Sequence, residues 1–163
     1  MQDFRGLNID IANQQHFAAV QMIRRTVLPE SHAYHYENNI GIPDVLSLVA
    51  TLEGRVVGFI TVLTRTWNPN GRALWERVNP YVGFLGVTPE LQRHGIGQRL
   101  IKAASQILLA AGKATLYLEC DAELIPVYCK YGFSSVIPEQ CEMLFGMRSS
   151  SNLMQLEIKQ SVS

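Results

Sequence analysis

The sequence contains few cysteines, no surplus of charge of either sign and no long apolar run. Its three cysteines are odd in number and show no CxxC spacing, so free thiols in a reducing cytoplasm are expected. The 14 basic and 14 acidic side chains cancel, which disfavours a nucleic-acid-binding protein. No stretch approaches the roughly 20 apolar residues that span a bilayer, so no membrane association is expected.

The beginning of the sequence also lacks a recognisable targeting pattern. The first residues, MQDFRGLNIDIANQQ, do not show the basic-then-apolar layout of a signal peptide, and a cytoplasmic protein is expected. What is present is the composition of an ordinary globular protein, 47% hydrophobic and 17% charged. A length of 163 residues suits a single domain, 1–163.

The hydrophobic pattern predicts an α+β chain with one mixed sheet at its centre. Strands are expected at GLNIDI, in a hairpin around Glu53-Gly54, at YVGFLGV, at ATLYLEC, at EMLFGM and at LMQLEIK. Helices are expected at 13–27, at 97–111 and within AELIPVYCKYGF. The polar and aromatic segment SHAYHYENNIGIP is either a short helix or a loop.

The stretch LGVTPELQRHGIGQRL joins a buried strand to a helix and has the character of an anion site. Unpaired N–H groups in the first helical turn and the helix dipole both favour an anion there. Gly95 and Gly97 let a ligand approach the backbone, and Arg93 adds positive charge. The stretch is neither a Walker loop nor a GxGxxG fingerprint, because no Gly-Lys-Ser/Thr follows and Leu100 occupies the third glycine position.

Two motifs in the right order carry a resemblance to a known family. Residues 92–97, QRHGIG, resemble the Q/R-x-x-G-x-G/A motif of the GNAT superfamily of N-acetyltransferases, and residues 128–133, YCKYGF, resemble its Y-x-x-x-G-F signature. Val57-Gly58-Phe59 matches the usual start of its third strand. The resemblance implies a GNAT fold: a central mixed sheet of six to seven strands, flanked by about four helices and splayed between strands 4 and 5.

The resemblance further implies that acetyl-CoA is the co-substrate and that no metal is needed. The backbone of β-strand YVGFLGV would pair with the pantetheine arm, and the turn amides would hold the pyrophosphate. Asp121 would stand in for an asparagine that other members carry seven residues before the tyrosine. The residues so assigned to the cofactor are Leu85, Gly86, Val87, Gln92, Arg93, His94, Gly95, Ile96, Gly97, Gln98 and Asp121. Gly86 is also a candidate for the bulge that opens the sheet.

Tyr128 occupies the position of the family's general acid. A phenol with a pKa of about 10 stays protonated at neutral pH and can donate to a departing thiolate. Many relatives carry a glutamate on the fourth strand as base, but YVGFLGV contains no acid. Glu119 on the neighbouring strand is the best remaining carboxylate, either as the base or as a structural acid. Without a strong base, the site would suit amines of low pKa or a water-relayed proton path.

Each of the remaining candidate residues has two possible interpretations. Tyr34 and Tyr36 are either contacts to the acceptor substrate or part of a solvated loop, and Trp67 is either a substrate contact or a loop anchor. A possible metal cluster has only its spacing in its favour, and no metal is expected. The members of that cluster are Glu30, His32, His35 and Glu37.

The sequence therefore predicts an acetyl-CoA-dependent N-acetyltransferase. Its acceptor would be a primary amine of a small molecule or peptide, attacking the thioester directly in a ternary complex. The chain would be a monomer or homodimer without nucleic-acid or membrane partners. An acyl group longer than acetyl stays open, and so does the alternative of a non-catalytic acyl-CoA-binding sensor or partner domain.

Overall fold

The computed structural model describes residues 4–28, 34–64, 80–137, 139–140 and 152–159. The described strands are β1 (Asn8–Ile11), β2 (Val45–Leu52), β3 (Arg55–Leu63), β4 (Tyr81–Val87), β5 (Thr115–Cys120), β6 (Ser134–Ser135) and β7 (Asn152–Glu157). The described α-helices longer than one turn are α1 (Phe17–Val27), α2 (Ile96–Ala110) and α3 (Ile125–Lys130). Short 3-10 helices lie at Gln14–His16, Tyr36–Asn39, Pro89–Leu91 and Ala122–Leu124.

The seven strands form one mixed sheet in the order β1-β2-β3-β4-β5-β7-β6. β4 and β5 run parallel and pair at Tyr81 and Tyr117, whereas β1 with β2, β5 with β7 and β6 with β7 are antiparallel. The predicted α+β class and seven-stranded mixed sheet are confirmed, with β4 and β5 as the parallel pair at which the splay was predicted. Within the described ranges no helix is long and apolar enough to cross a membrane.

The chain divides into two compact units. One comprises Met1–Val62 and Gly83–Ala104, and the other comprises Leu63–Val82 and Ser105–Ser163. That the whole chain is a single domain stays a prediction.

The first unit is built around α1 and the β2–β3 hairpin. Asn13 caps the 3-10 turn that leads into α1 by accepting a hydrogen bond from the Gln15 amide, which fixes where the helical segment begins. The hairpin turns at Glu53 and Gly54, which have φ values of 52° and 78°, as the two-residue turns that match strand twist require. The core that these elements bury consists of Ala12, Val20, Ile23, Ile40, Val49, Phe59 and Phe84.

The second unit is built on the antiparallel pair β5–β7, whose register runs from Thr115 opposite Glu157 to Cys120 opposite Asn152. Tyr117, Val136 and Leu153 form its buried cluster, and Tyr81 packs against that cluster. Burial of these apolar side chains stabilises the pairing, because each removes its surface from water.

Element boundaries differ from the predicted ones in small ways. α2 begins at Ile96, one residue earlier than predicted, and ends before Gly112, whose φ of 83° matches the left-handed residue expected after a helix. The two-residue strand β6 was not predicted at all. The predicted strand EMLFGM, 142–147, lies outside the described residues.

Candidate functional site

The turn between β4 and α2 has an unusual backbone. Arg93 and Gly95 have φ values of 67° and 91°, both in the left-handed region, where a residue other than glycine is uncommon. The side chain of Gln92 stabilises the entry to the turn, because its Nε2 donates to the Val87 carbonyl at 3.0 Å. The first N–H groups of α2 have no acceptor within the helix, as at every helix start. The turn therefore combines outward N–H groups with the Arg93 charge and can bind an anion.

The two glycines of the turn have different roles. A Cβ added at Gly95 would meet nothing within 4 Å, so only its φ of 91° requires glycine. A Cβ at Gly97 would lie 3.6 Å from Leu85 Cδ2 and 4.0 Å from Val87 Cγ2, which are ordinary contacts. The fold therefore tolerates a methyl group at Gly97. At Gly95 a side chain would have room but would be strained, because the backbone there is left-handed.

Exposure separates the side chains of the turn into two groups. Gln92, Arg93, His94 and Gln98 are exposed, whereas Ile96 is buried beneath them and anchors the start of α2. The ring of His94 makes an edge contact with Phe4, the ring centroids being 6.1 Å apart.

The β4 backbone candidates Leu85, Gly86 and Val87 lie directly before this turn. At Gly86 an added Cβ would lie 2.5 Å from Phe84 Cζ and 3.2 Å from Ile23 Cγ2. Because Phe84 is buried, its ring cannot move freely to make room. A side chain at position 86 would clash with the Phe84 ring, which explains why this position is glycine.

Tyr128 lies in α3 within an aromatic cluster. Its ring centroid is 5.9 Å from that of Tyr131 and 5.7 Å from that of Phe133, both at edge-on angles. Burial first, and then the neighbouring Cys120 and Tyr131, raise the pKa of Tyr128 to about 12. The phenol is therefore protonated throughout the physiological range and can donate a hydrogen bond.

Glu119 lies on β5, exposed and opposite Leu153 of β7. Successive side chains of a strand alternate between faces, so Glu119 projects from the face opposite to that of Cys120. Cys120 is buried, and its Sγ donates to Met154 Sδ at 3.6 Å. Asp121 follows β5 and is exposed.

The substrate candidates Tyr34 and Tyr36 form part of a stack of rings. Their centroids are 4.6 Å apart, and Tyr36 stacks on Phe84 at 5.1 Å with 16° between the planes. The Tyr34 hydroxyl donates to Asn39 Oδ1 at 2.8 Å. Sequence reasoning singled out the two tyrosines but not the side chains that they contact, Phe84 and Asn39. Trp67 lies outside the described residues.

Glu37 forms a buried ion pair with Arg24. Its carboxylate accepts from Arg24 Nε at 2.6 Å and from Arg24 Nη2 at 2.9 Å. Burial alone would raise the pKa of Glu37, but its hydrogen bonds with Arg24 and the backbone, together with the Arg24 charge, lower that pKa below the ordinary value. Across the described ranges no group of three or more His, Cys, Asp or Glu side chains could hold a metal, and Glu30 and His32 lie outside those ranges.

The fold is similar to those of several solved acetyltransferases. The ribosomal-protein-S18-alanine N-acetyltransferase from Escherichia coli superposes with a TM-score of 0.65 at 20% identity, over 96% of this chain and 99% of that one. The PaiA N-acetyltransferase from Thermoplasma acidophilum, in complex with coenzyme A, gives a TM-score of 0.69 at 16% identity, over 94% and 99% of the two chains. An aminoglycoside 6′-N-acetyltransferase complexed with coenzyme A gives 0.70 at 14% identity, over 96% and 99%. At these identities the similarity concerns the fold.

The sequence itself settles the family. No curated protein sequence matches the chain significantly. The family model of the acetyltransferase (GNAT) family matches residues 13–133, which is most of the chain and includes both the turn before α2 and the Y-x-x-x-G-F motif. The chain therefore belongs to the GNAT family of acetyltransferases.

Proposed function

We propose that the protein is a cytoplasmic, acetyl-CoA-dependent N-acetyltransferase that acetylates a primary amine of a small molecule or peptide by direct attack in a ternary complex. The observation that carries the proposal is the turn between β4 and α2, where Arg93 and Gly95 both adopt left-handed conformations. Strained backbone of this kind persists where surrounding structure enforces it, and it is concentrated at functional sites. In a GNAT family member, that function is binding the pyrophosphate of coenzyme A.

The turn and the end of β4 would share the binding of the cofactor. Arg93 and the amides up to Gln98 provide positive charge and N–H donors for the two phosphates. The backbone of Leu85, Gly86 and Val87 would pair with the amide-bearing pantetheine arm as an added strand does. Two solved structures of similar fold contain coenzyme A, which supports the same ligand here.

Tyr128 would stabilise the thiolate that leaves when the amine displaces it from the acetyl group. Full proton transfer from a phenol of pKa about 12 to a thiolate with a conjugate-acid pKa of about 8.5 is uphill by about 5 kcal/mol. Tyr128 would therefore act chiefly by donating a hydrogen bond to the developing charge, which a half-buried phenol does more effectively than one in water.

Glu119 would accept the proton that the attacking amine loses, directly or through water. An amine with a lysine-like pKa of about 10.4 costs about 4.6 kcal/mol to deprotonate at pH 7, whereas an α-amine near 7.8 costs about 1 kcal/mol. An acceptor amine of low pKa suits the site best, because it costs the least to deprotonate.

Initial-rate kinetics with both substrates varied test this mechanism. We expect intersecting double-reciprocal lines, because acetyl-CoA and the amine must be bound together. Parallel lines would indicate an acetyl-enzyme intermediate and contradict direct attack. Tight binding of coenzyme A by calorimetry without amine-dependent thiol release would support the non-catalytic acyl-CoA-binding alternative.

A further inference from the structure

We infer that Phe4, which precedes β1, is a positioning residue for coenzyme A. Its ring holds His94 and so keeps the turn between β4 and α2 in the conformation that binds the cofactor. Phe4 acts through His94 and has no contact of its own with the ligand. This inference rests on the proposed function and adds to its cofactor site a residue that no motif of the sequence includes.

The turn between β4 and α2 needs support from outside itself. His94 lies between Arg93 and Gly95, whose φ values of 67° and 91° are both left-handed. A Cβ added at Gly95 would meet nothing within 4 Å, so packing against that position does not hold the turn. Backbone of this kind persists where the surrounding structure enforces it. The support therefore reaches the turn at its ends and through its side chains.

Both ends of the turn are anchored, and the Phe4 contact lies between the two anchors. Before the turn, the Thr88 amide donates to the Val57 carbonyl at 2.9 Å. After it, the buried Ile96 fixes the start of α2. The exposed His94 meets the Phe4 ring edge-on, with 6.1 Å between the ring centroids and 77° between the planes. This contact joins the middle of the turn to a segment that is distant in the sequence.

Phe4 is itself held by a tight turn that leads into the sheet. The Leu7 amide donates to the Phe4 carbonyl at 3.0 Å, and Gly6 has a φ of 88°, as the third residue of such a turn often requires. Leu7 is buried, and the following residue, Asn8, pairs with Thr51 of β2. The half-buried Phe4 ring is therefore tied to the sheet and can support His94.

A support of this kind changes affinity through the population of the binding conformation. When a turn adopts its binding conformation for only part of the time, the apparent dissociation constant rises by the reciprocal of that fraction. The free energy of one contact between aromatic rings corresponds to a change of about threefold to tenfold in that constant.

Calorimetric titration with coenzyme A tests the inference in Phe4→Leu, which keeps an apolar side chain but removes the ring. We expect the Kd to rise about threefold to tenfold. Phe4→Tyr keeps the ring and should bind coenzyme A as the wild type does. Ile11→Ala is the matched control, because it removes a 67% exposed apolar side chain at the other end of β1 and should leave the Kd unchanged.

A double-mutant cycle with His94→Ala tests whether Phe4 acts through His94. The double variant should bind coenzyme A as weakly as His94→Ala alone, because the Phe4 ring then has no partner to hold. An unchanged Kd in Phe4→Leu, or the same loss of affinity with and without the His94 ring, would overturn the inference while leaving the proposed function standing. Absence of coenzyme A binding by the wild type would overturn the proposed function itself, and the inference with it.

Discussion

At the scale of single residues, the surroundings set the protonation state of two groups, the phenol of Tyr128 and the carboxylate of Glu37. Burial keeps the phenol protonated by raising its pKa to about 12. The Arg24 guanidinium keeps the Glu37 carboxylate ionised against the opposing effect of burial, so the pKa of Glu37 is lowered. The first group is proposed to act in the chemistry, the second joins the 3-10 turn Tyr36–Asn39 to α1, and each yields a separate prediction.

Tyr128→Phe should lower kcat by about a hundredfold, the low end of what the loss of one acid group typically costs. A thiolate is already a tolerable leaving group, so a larger loss is not expected. The phenylalanine ring keeps the contacts with Tyr131 and Phe133, so the melting temperature should barely change. Steady-state kinetics beside thermal melting check this, and full activity in the folded variant would remove Tyr128 from the mechanism.

Glu37→Gln should destabilise the protein by about 3–5 kcal/mol, because it leaves the Arg24 charge buried without a partner. The double variant Arg24→Met, Glu37→Leu should lose much less, since it buries no charge. The lowered pKa of Glu37 gives the wild type stability that is fully present above an unfolded pKa of about 4.3 and is lost as the pH falls through the lower folded value. Urea unfolding at pH 7 and below pH 4 measures both effects; strictly additive single-variant losses would contradict the pairing.

At the scale of elements, the junction of β4 and α2 shows how backbone geometry prepares a site. The strand ends at Val87, a 3-10 turn at Pro89–Leu91 redirects the chain, and two left-handed residues bring it to the start of α2. Ile96 and Leu100 bury the inner face of the helix, which fixes the direction of its first N–H groups. The helix therefore holds its first N–H groups in place, so the binding of a ligand would not have to order them.

The two glycines of this junction allow a matched comparison. Gly95→Ala forces a side chain into a left-handed conformation, at a cost of about 1–2 kcal/mol, and should distort the turn and weaken coenzyme A binding about tenfold. Gly97→Ala meets only ordinary contacts within the protein and should melt like the wild type, so a loss of affinity in that variant would come from a methyl group placed against the bound phosphates. Calorimetric titration with coenzyme A checks both variants, and wild-type affinity in both would argue against the turn as the phosphate site.

Elements with strong local patterns could be predicted from the sequence. Elements that exist only because they pair with a strand distant in sequence could not. The periodic apolar residues of α2 and the Glu53-Gly54 turn of the hairpin carried enough local information. β6 has only Ser134 and Ser135, which show no apolar pattern, and it exists because they pair with Gln155 and Met154. A strand of that kind is determined by tertiary contacts.

At the scale of the whole molecule, the sequence predicted the class of fold but not the long-range contacts that hold the 3-10 turn Tyr36–Asn39 in place. The motifs are contiguous, so their spacing could be read directly. The Asn39–Thr61 hydrogen bond joins residues 22 positions apart and the Arg24–Glu37 pair joins residues 13 apart, and no local pattern predicts either. The family match extends over residues 13–133 and includes both Gly95 and Tyr128, but it leaves the acceptor to the particular side chains of this chain.

Mass spectrometry of the reaction product tests the central claim most directly. The protein would be incubated with isotopically labelled acetyl-CoA and a set of primary amines that includes 2-phenylethylamine and a short peptide. We predict a labelled N-acetyl amine and free coenzyme A in equal amounts, formed faster by the wild type than by Tyr128→Phe. Intact acetyl-CoA in the presence of protein that binds coenzyme A by calorimetry, with no labelled amide above the uncatalysed background, would contradict the proposed acetyltransferase activity.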